Sequence, residues 1–185
     1  MTGGLFGAAN KPTTLMQIFI SHSSLDSQIK SIVLPTLLPI GIYPYFAEDQ
    51  PAEPNPLHEK LINAISKSKC AFVFITKNVI ENKDTRDIIL WELGVIHSYN
   101  IPVCVFTEDG VEVPKPAWFK SVSYSFKPSD VSSLINVSNQ LKNIATKISA
   151  ELKEMETQER NERLALIIAG IFVVGLGAYI IKNGK

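Results

Sequence analysis

Glu92 is the residue whose placement most needs a chemical explanation. On a helical wheel at about 100° per residue it falls between Ile88 and Ile96, within an arc completed by Ile89, Leu93 and Val95. Burying an unpaired charge in the middle of such a face costs on the order of several kcal/mol. Two arrangements relieve that cost: an ion pair with a cation such as Lys77, or a face that opens onto a cleft. In a cleft, a carboxylate can hold sugar hydroxyls and stabilise positive charge developing on the ring by preorganised electrostatics. Upstream, Ser21, His22, Ser23, Ser24 and Asp26 offer hydroxyls and backbone amides at the start of a helical stretch, a place where phosphate or ribose binds well. Ser23 or Ser24 serves equally as a helix cap there, and His22 as a solvated turn residue. Phe46 opens a second segment, Ala47, Glu48, Asp49 and onward, in which Pro51, Pro54 and Pro56 forbid regular structure.

Other chemistries find no support. Lys+Arg and Asp+Glu are equal at 18 each, so no long-range field draws the chain toward nucleic acid. Cys70 and Cys104 both sit in apolar runs and read as buried core thiols, with no partners at zinc spacing and too few cysteines for a disulfide framework. His22, His58 and His97 are scattered without metal-ligand spacing, so no metal is expected. The glycines and lysine of GGLFGAANK lack the P-loop spacing, and Asn136-Val137-Ser138 is a glycosylation sequon by letters only.

The elements that must position Glu92 follow an alternating order. Met16 to Ile20, Ile42 to Phe46, Lys69 to Thr76, Ile101 to Thr107 and the weaker Val122 to Phe126 read as strands. The third and fourth are near-continuous apolar runs, as expected of strands buried on both faces of a parallel sheet. Asp26 to Leu38, Pro56 to Lys67 and Thr85 to Tyr99 have helical character. The expectation is an α/β, flavodoxin-like, doubly wound five-stranded sheet of order 2-1-3-4-5, with a ligand crevice at the carboxyl ends of the first and third strands. Leu134, Val137, Leu141, Ile144 and Ile148 then mark a long amphipathic helix continuing through Leu152 and Met155.

The runs IFISHSSLD at Ile18 to Asp26, GIYPYFAED at Gly41 to Asp49, LHEKLINAISKSKCAFVFIT, and ILWELGVIHSYNIPVCVF together resemble a TIR domain of the microbial, NAD-cleaving type, over roughly Gln17 to Phe126. That resemblance implies the same five-stranded fold and puts Glu92 at the family's catalytic glutamate. NAD enters as substrate rather than cofactor, with Ser21, His22, Ser23, Ser24, Asp26, Phe46 and Ile88 as the substrate-binding set. It implies NAD glycohydrolase or ADP-ribosyl cyclase activity. Because nicotinamide on NAD is already cationic and leaves as a neutral molecule, one carboxylate suffices where ordinary glycosidases use two. Ala47, Glu48, Asp49, Pro51 and Pro54 correspond to the family's BB loop, which implies self-association through TIR domains. Ile88 departs from the aromatic or polar residue that catalytic members commonly carry four positions before the glutamate. Two alternatives stand beside this one: a non-catalytic TIR scaffold, and an enzyme like the nucleoside deoxyribosyltransferases, another flavodoxin-like group with a key glutamate.

At the C-terminus, Leu164 to Ile181 carries no charge and as a helix spans ~27 Å, close to the thickness of a bilayer's hydrocarbon core. Flanked by Arg160, Arg163, Lys182 and Lys185, it reads as a tail anchor for a single-pass membrane protein with its folded domain in the cytoplasm. The expected organisation is therefore a disordered lead-in over 1–14, the TIR domain over 15–145, a helical stalk over 146–163, a transmembrane helix over 164–181 and a short tail over 182–185. Tethering would raise the effective concentration for clustering in immune or stress signalling.

Overall fold

Ala71–Ile75 (β3) is buried at every position, and Val103–Glu108 (β4) at all but its last two, because helices cover both faces of these strands. With Met16–Ser21 (β1), Ile42–Phe46 (β2) and Val122–Phe126 (β5) they form one parallel sheet in the order β2-β1-β3-β4-β5. The computed structural model describes residues 16–47, 57–112 and 121–154.

Alternation along the strands divides the core in two. Ile18 and Ile20 of β1, with Phe72 and Phe74 of β3 and Cys104 and Phe106 of β4, face Ser27–Leu37 (α1) and Val131–Glu154 (α5). On this side Phe74 stacks on Phe106 at 4.9 Å between centroids and meets Phe126 edge-on at 6.1 Å. Phe19, Ala71, Val73 and Val105 face Leu57–Lys67 (α2) and Lys83–Ser98 (α4) on the other. Each fully buried phenylalanine or leucine contributes on the order of 1.5–3 kcal/mol, so the layering follows from the apolar periodicity. Cys70 and Cys104 are free thiols in the first of these cores, and burial pushes the Cys70 thiol upward.

Element ends depart from the periodicity where local chemistry intervenes. The first helical stretch runs on past Pro35 for a short way, then tightens into a 3-10 turn at Leu38–Ile40. It stops at Gly41, whose φ of 76° and N–H to Leu38 carbonyl bond of 3.0 Å make a left-handed cap. Before α4 a short helix, Lys77–Glu81 (α3), intervenes. The chain breaks at Asn82, which is extended and caps α4 by accepting from Thr85 N–H at 3.0 Å. In α5, Val137, Leu141, Ile144, Ala145 and Ile148 are buried on the sheet, so packing runs beyond residue 145.

The expected membrane helix calls for correction. Among the described residues, no helix is long and apolar enough to cross a membrane. Leu164 to Ile181, the segment on which the anchor was expected, lies outside the described residues, as do the lead-in 1–14 and the tail 182–185. The architecture is thus a flavodoxin-like sheet with a long closing helix, and neither single-pass localisation nor the membrane as a partner is carried forward.

Candidate functional site

β1 and β3 are neighbours, but the chain leaves them toward opposite faces: α1 follows β1 on one side, α3 and α4 follow β3 on the other. The crevice outside the carboxyl ends of such a strand pair is where open α/β sheets bind ligands. Ser21 ends β1 opposite Val73, and Thr76 follows directly on β3, so both stand at this edge.

Glu92 reaches the same place from α4. The helix buries Ile89, Glu92, Leu93 and Ile96, while Ile88 is 39% exposed at the margin of that face. Ser21 Oγ donates to Glu92 Oε2 at 2.5 Å. Glu92 is 5% exposed and, among the described residues, joins no ion pair. Lys77, the cation named as an example of a partner, instead pairs with Glu108 at 3.6 Å, and its backbone N–H donates to the same carboxylate at 2.9 Å. Burial pushes the Glu92 carboxyl up from its ordinary value of 4.5 to about 7, and the Ser21 hydroxyl pulls the other way. Among the described residues, Tyr124 Oη is the one buried side-chain N or O atom without a hydrogen bond. Glu92 Oε2 is held by Ser21, and Oε1 accepts no hydrogen bond among the described residues.

The loop after β1 is built differently from the sequence-based picture. Asp26, not Ser23 or Ser24, stands at the start of α1, and its side chain makes no cap bond. Its carboxylate accepts from Thr76 Oγ1 at 2.6 Å and from Asn78 Nδ2 at 2.6 Å. Ser23 is buried and accepts from Leu25 N–H at 3.3 Å, closing the loop on itself, whereas Ser24 is exposed. His22 is half-buried, with Nδ1 2.6 Å from the Ser23 carbonyl and its ring edge-on to Phe46 at 5.3 Å. Phe46 is buried beneath the Lys30 ammonium at 5.5 Å.

Of the expected site residues, the fold thus brings Ser21 onto Glu92, gathers His22 with Phe46, and turns Asp26 toward β3. Ala47 is half-buried beside the second core, and Ile88 lies one turn before Glu92 on an exposed flank. Glu48, Asp49, Pro51 and Pro54 lie outside the described residues. The Trp91 ring lies tilted against His58 of α2, 4.5 Å between centroids. Thr76 and Asn78 were not foreseen; the available signal was their position just after β3, which a 2-1-3 strand order sets beside the loop after β1. Among the described residues, no group of three or more His, Cys, Asp or Glu side chains is placed to hold a metal ion.

Comparison with known proteins assigns this chain to no family. No family model matches the chain, and no curated protein matches it. Among solved structures, the metal-soaked Flv1 flavodiiron core from Synechocystis sp. PCC6803 is similar at 14% identity and a TM-score of 0.41, over 73% of this chain and 37% of that one. The chain spans well under half the length of that relative, and so distant a likeness bears on no chemistry.

The resemblance to TIR domains is corrected accordingly. What survives of it is the flavodoxin-like parallel sheet, an architecture shared by many unrelated functions. With no family match behind it and no membrane-spanning helix among the described residues, the assignment as a membrane-tethered, self-associating, NAD-cleaving signalling protein is not retained, nor are its scaffold and deoxyribosyltransferase-like variants.

Proposed function

We propose that this chain is a hydrolase of an N-glycosidic bond, acting on a ribosyl group that carries a positively charged base. The observation that carries this reading is a buried carboxylate at the β1–β3 crevice that joins no ion pair among the described residues, with one oxygen pinned by Ser21 and the other left without a hydrogen bond. Such a group is costly to maintain, and strongly shifted carboxyls in crevices are where catalytic acids and bases are found.

The chemistry suits one carboxylate. When the bond from C1′ to the base nitrogen breaks, its electron pair neutralises the base, so no proton has to be delivered to the leaving group. Positive charge develops on the ring, and a carboxylate held beside it lowers the barrier without reorganising. Water then adds to C1′ and its proton passes to bulk water. Ser21 supports this role by fixing the carboxylate plane before the sugar arrives.

Incubating the chain at high concentration with a panel of nucleosides and nucleotides bearing neutral or cationic bases and quantifying released base tests the proposal. Release from the cationic members, lost in Glu92→Gln, is the expected result. Release that survives this substitution, or none from any member, refutes it. The pH profile supplies a second check: turnover rises as pH passes through about 7, where Glu92 loses its proton.

A further inference from the structure

Asp26 gives up an ordinary task for an unusual one. The residue before α1 normally caps the helix through its side chain, yet both oxygens of this 1% exposed carboxylate are committed elsewhere. Oδ2 accepts from Thr76 Oγ1 and Oδ1 from Asn78 Nδ2, each at 2.6 Å, with Gln28 Nε2 more distant from Oδ1 at 3.5 Å. These bonds join two segments that are far apart in sequence. One is the loop presenting Ser21, closed by Asp26 N–H to the Ser23 carbonyl at 2.9 Å. The other is the Thr76 to Asn82 stretch, in which Thr76 caps α3 and Asn82 caps α4, the helix that bears Glu92.

We propose that Asp26 is a positioning residue for Glu92: by clamping the loop after β1 onto the junction between β3 and α3, it holds Ser21 Oγ against the Glu92 carboxylate in a single geometry. Asp26 does not itself touch Glu92. It acts because Ser21 and Glu92 belong to the two segments that it joins, and buried carboxylates with good donors are stiff connections. The functional meaning of the clamp rests on the proposed role of Glu92, but the coupling is readable without turnover.

The test is the pH titration of the Glu92 side-chain carboxyl 13C signal in the full chain, for the natural sequence, Ser21→Ala, Asp26→Asn and the double variant. The hydroxyl of Ser21 holds the Glu92 titration down, so Ser21→Ala moves its midpoint upward. Asp26→Asn, which swaps one acceptor for a donor, is expected to move it the same way, and the double variant no further than Ser21→Ala alone. Titratable groups on the packed elements have partners of their own: Lys77 with Glu108, Arg86 with Asp87, and the His58 ring against Trp91.

An unchanged midpoint in a folded Asp26→Asn chain overturns the proposal, as do additive shifts in the double variant; Asp26 is then a local staple. If Asp26→Asn does not fold, Thr76→Val and Asn78→Ala remove the same two bonds from the other side, and a natural midpoint in both overturns it equally. A chain that shows these shifts but releases no base from any nucleotide overturns the proposed reaction and upholds the clamp.

Discussion

Replacing Glu92 by glutamine is expected to stabilise the folded chain at alkaline pH while abolishing the proposed turnover. Glutamine has nearly the same shape, and its side-chain carbonyl accepts the Ser21 hydroxyl as the carboxylate does, so the substitution mainly removes the charge. The carboxyl titrates near 4.5 when exposed and at about 7 when folded. Between those values the folded state holds a proton that the unfolded state has released, so natural stability falls as pH rises across this interval. At about 1.4 kcal/mol per pH unit, the penalty is absent below 4.5, grows through the interval, and levels off above 7 at about 3 kcal/mol. Glutamine never titrates and carries none of it. For a domain whose whole stability is about 5–15 kcal/mol this is a large fraction. Urea denaturation of both chains at several values between about pH 4 and pH 8 reads the difference directly. The two midpoints should lie close together at the acid end, with the variant drawing ahead as pH rises. A difference that does not change with pH, or a variant weaker at pH 8, means that a cation or water satisfies the carboxylate, and the reasoning from burial fails. A chain that keeps such a group despite its cost is trading stability for something else.

Three further outcomes follow from the same geometry. Lys77→Ala removes a pair whose lysine is largely exposed, so it should cost under about 1 kcal/mol and leave the Glu92 titration where it is; a moved titration would restore Lys77 as the partner of Glu92. Phe106→Ala opens a cavity beneath the Phe74 and Tyr124 rings and should cost about 3–5 kcal/mol in urea denaturation, with no change in the pH at which Glu92 titrates. Gly41→Ala meets no atom within 4 Å but must hold a φ of 76°, so it should lower stability by about 1–2 kcal/mol through backbone strain alone, seen as a lower thermal midpoint.

What could be read from sequence depended on how local its physical cause was. The near-continuous apolar runs at Lys69 to Thr76 and Ile101 to Thr107 announce strands covered on both faces, because only burial on both sides makes every position apolar. Their bounds shifted: the strands are Ala71–Ile75 and Val103–Glu108, each starting two residues later than expected, and the second running one residue past Thr107. The short helix α3 at Lys77–Glu81 was not foreseen, because five residues are too few to express a helical period; the helix expected from Thr85 begins at Lys83, where Asn82 caps it.

By itself, the sequence determined the parallel sheet, its alternation with helices, and the anomaly of Glu92, because each follows from periodicities of two and 3.6 that short stretches of chain express. Only the tertiary structure decided what that anomaly means. Ser21 lies 71 positions away and meets Glu92 because β1 pairs with β3 and α4 packs on the face of the sheet beside them. Lys77, close in sequence, is drawn to Glu108 instead, and Asp26 turns from its own helix to Thr76 and Asn78. Periodicity fixes which face a side chain presents; its partner depends on which other segment the crossovers bring against that face, and the spacing within one segment does not encode this.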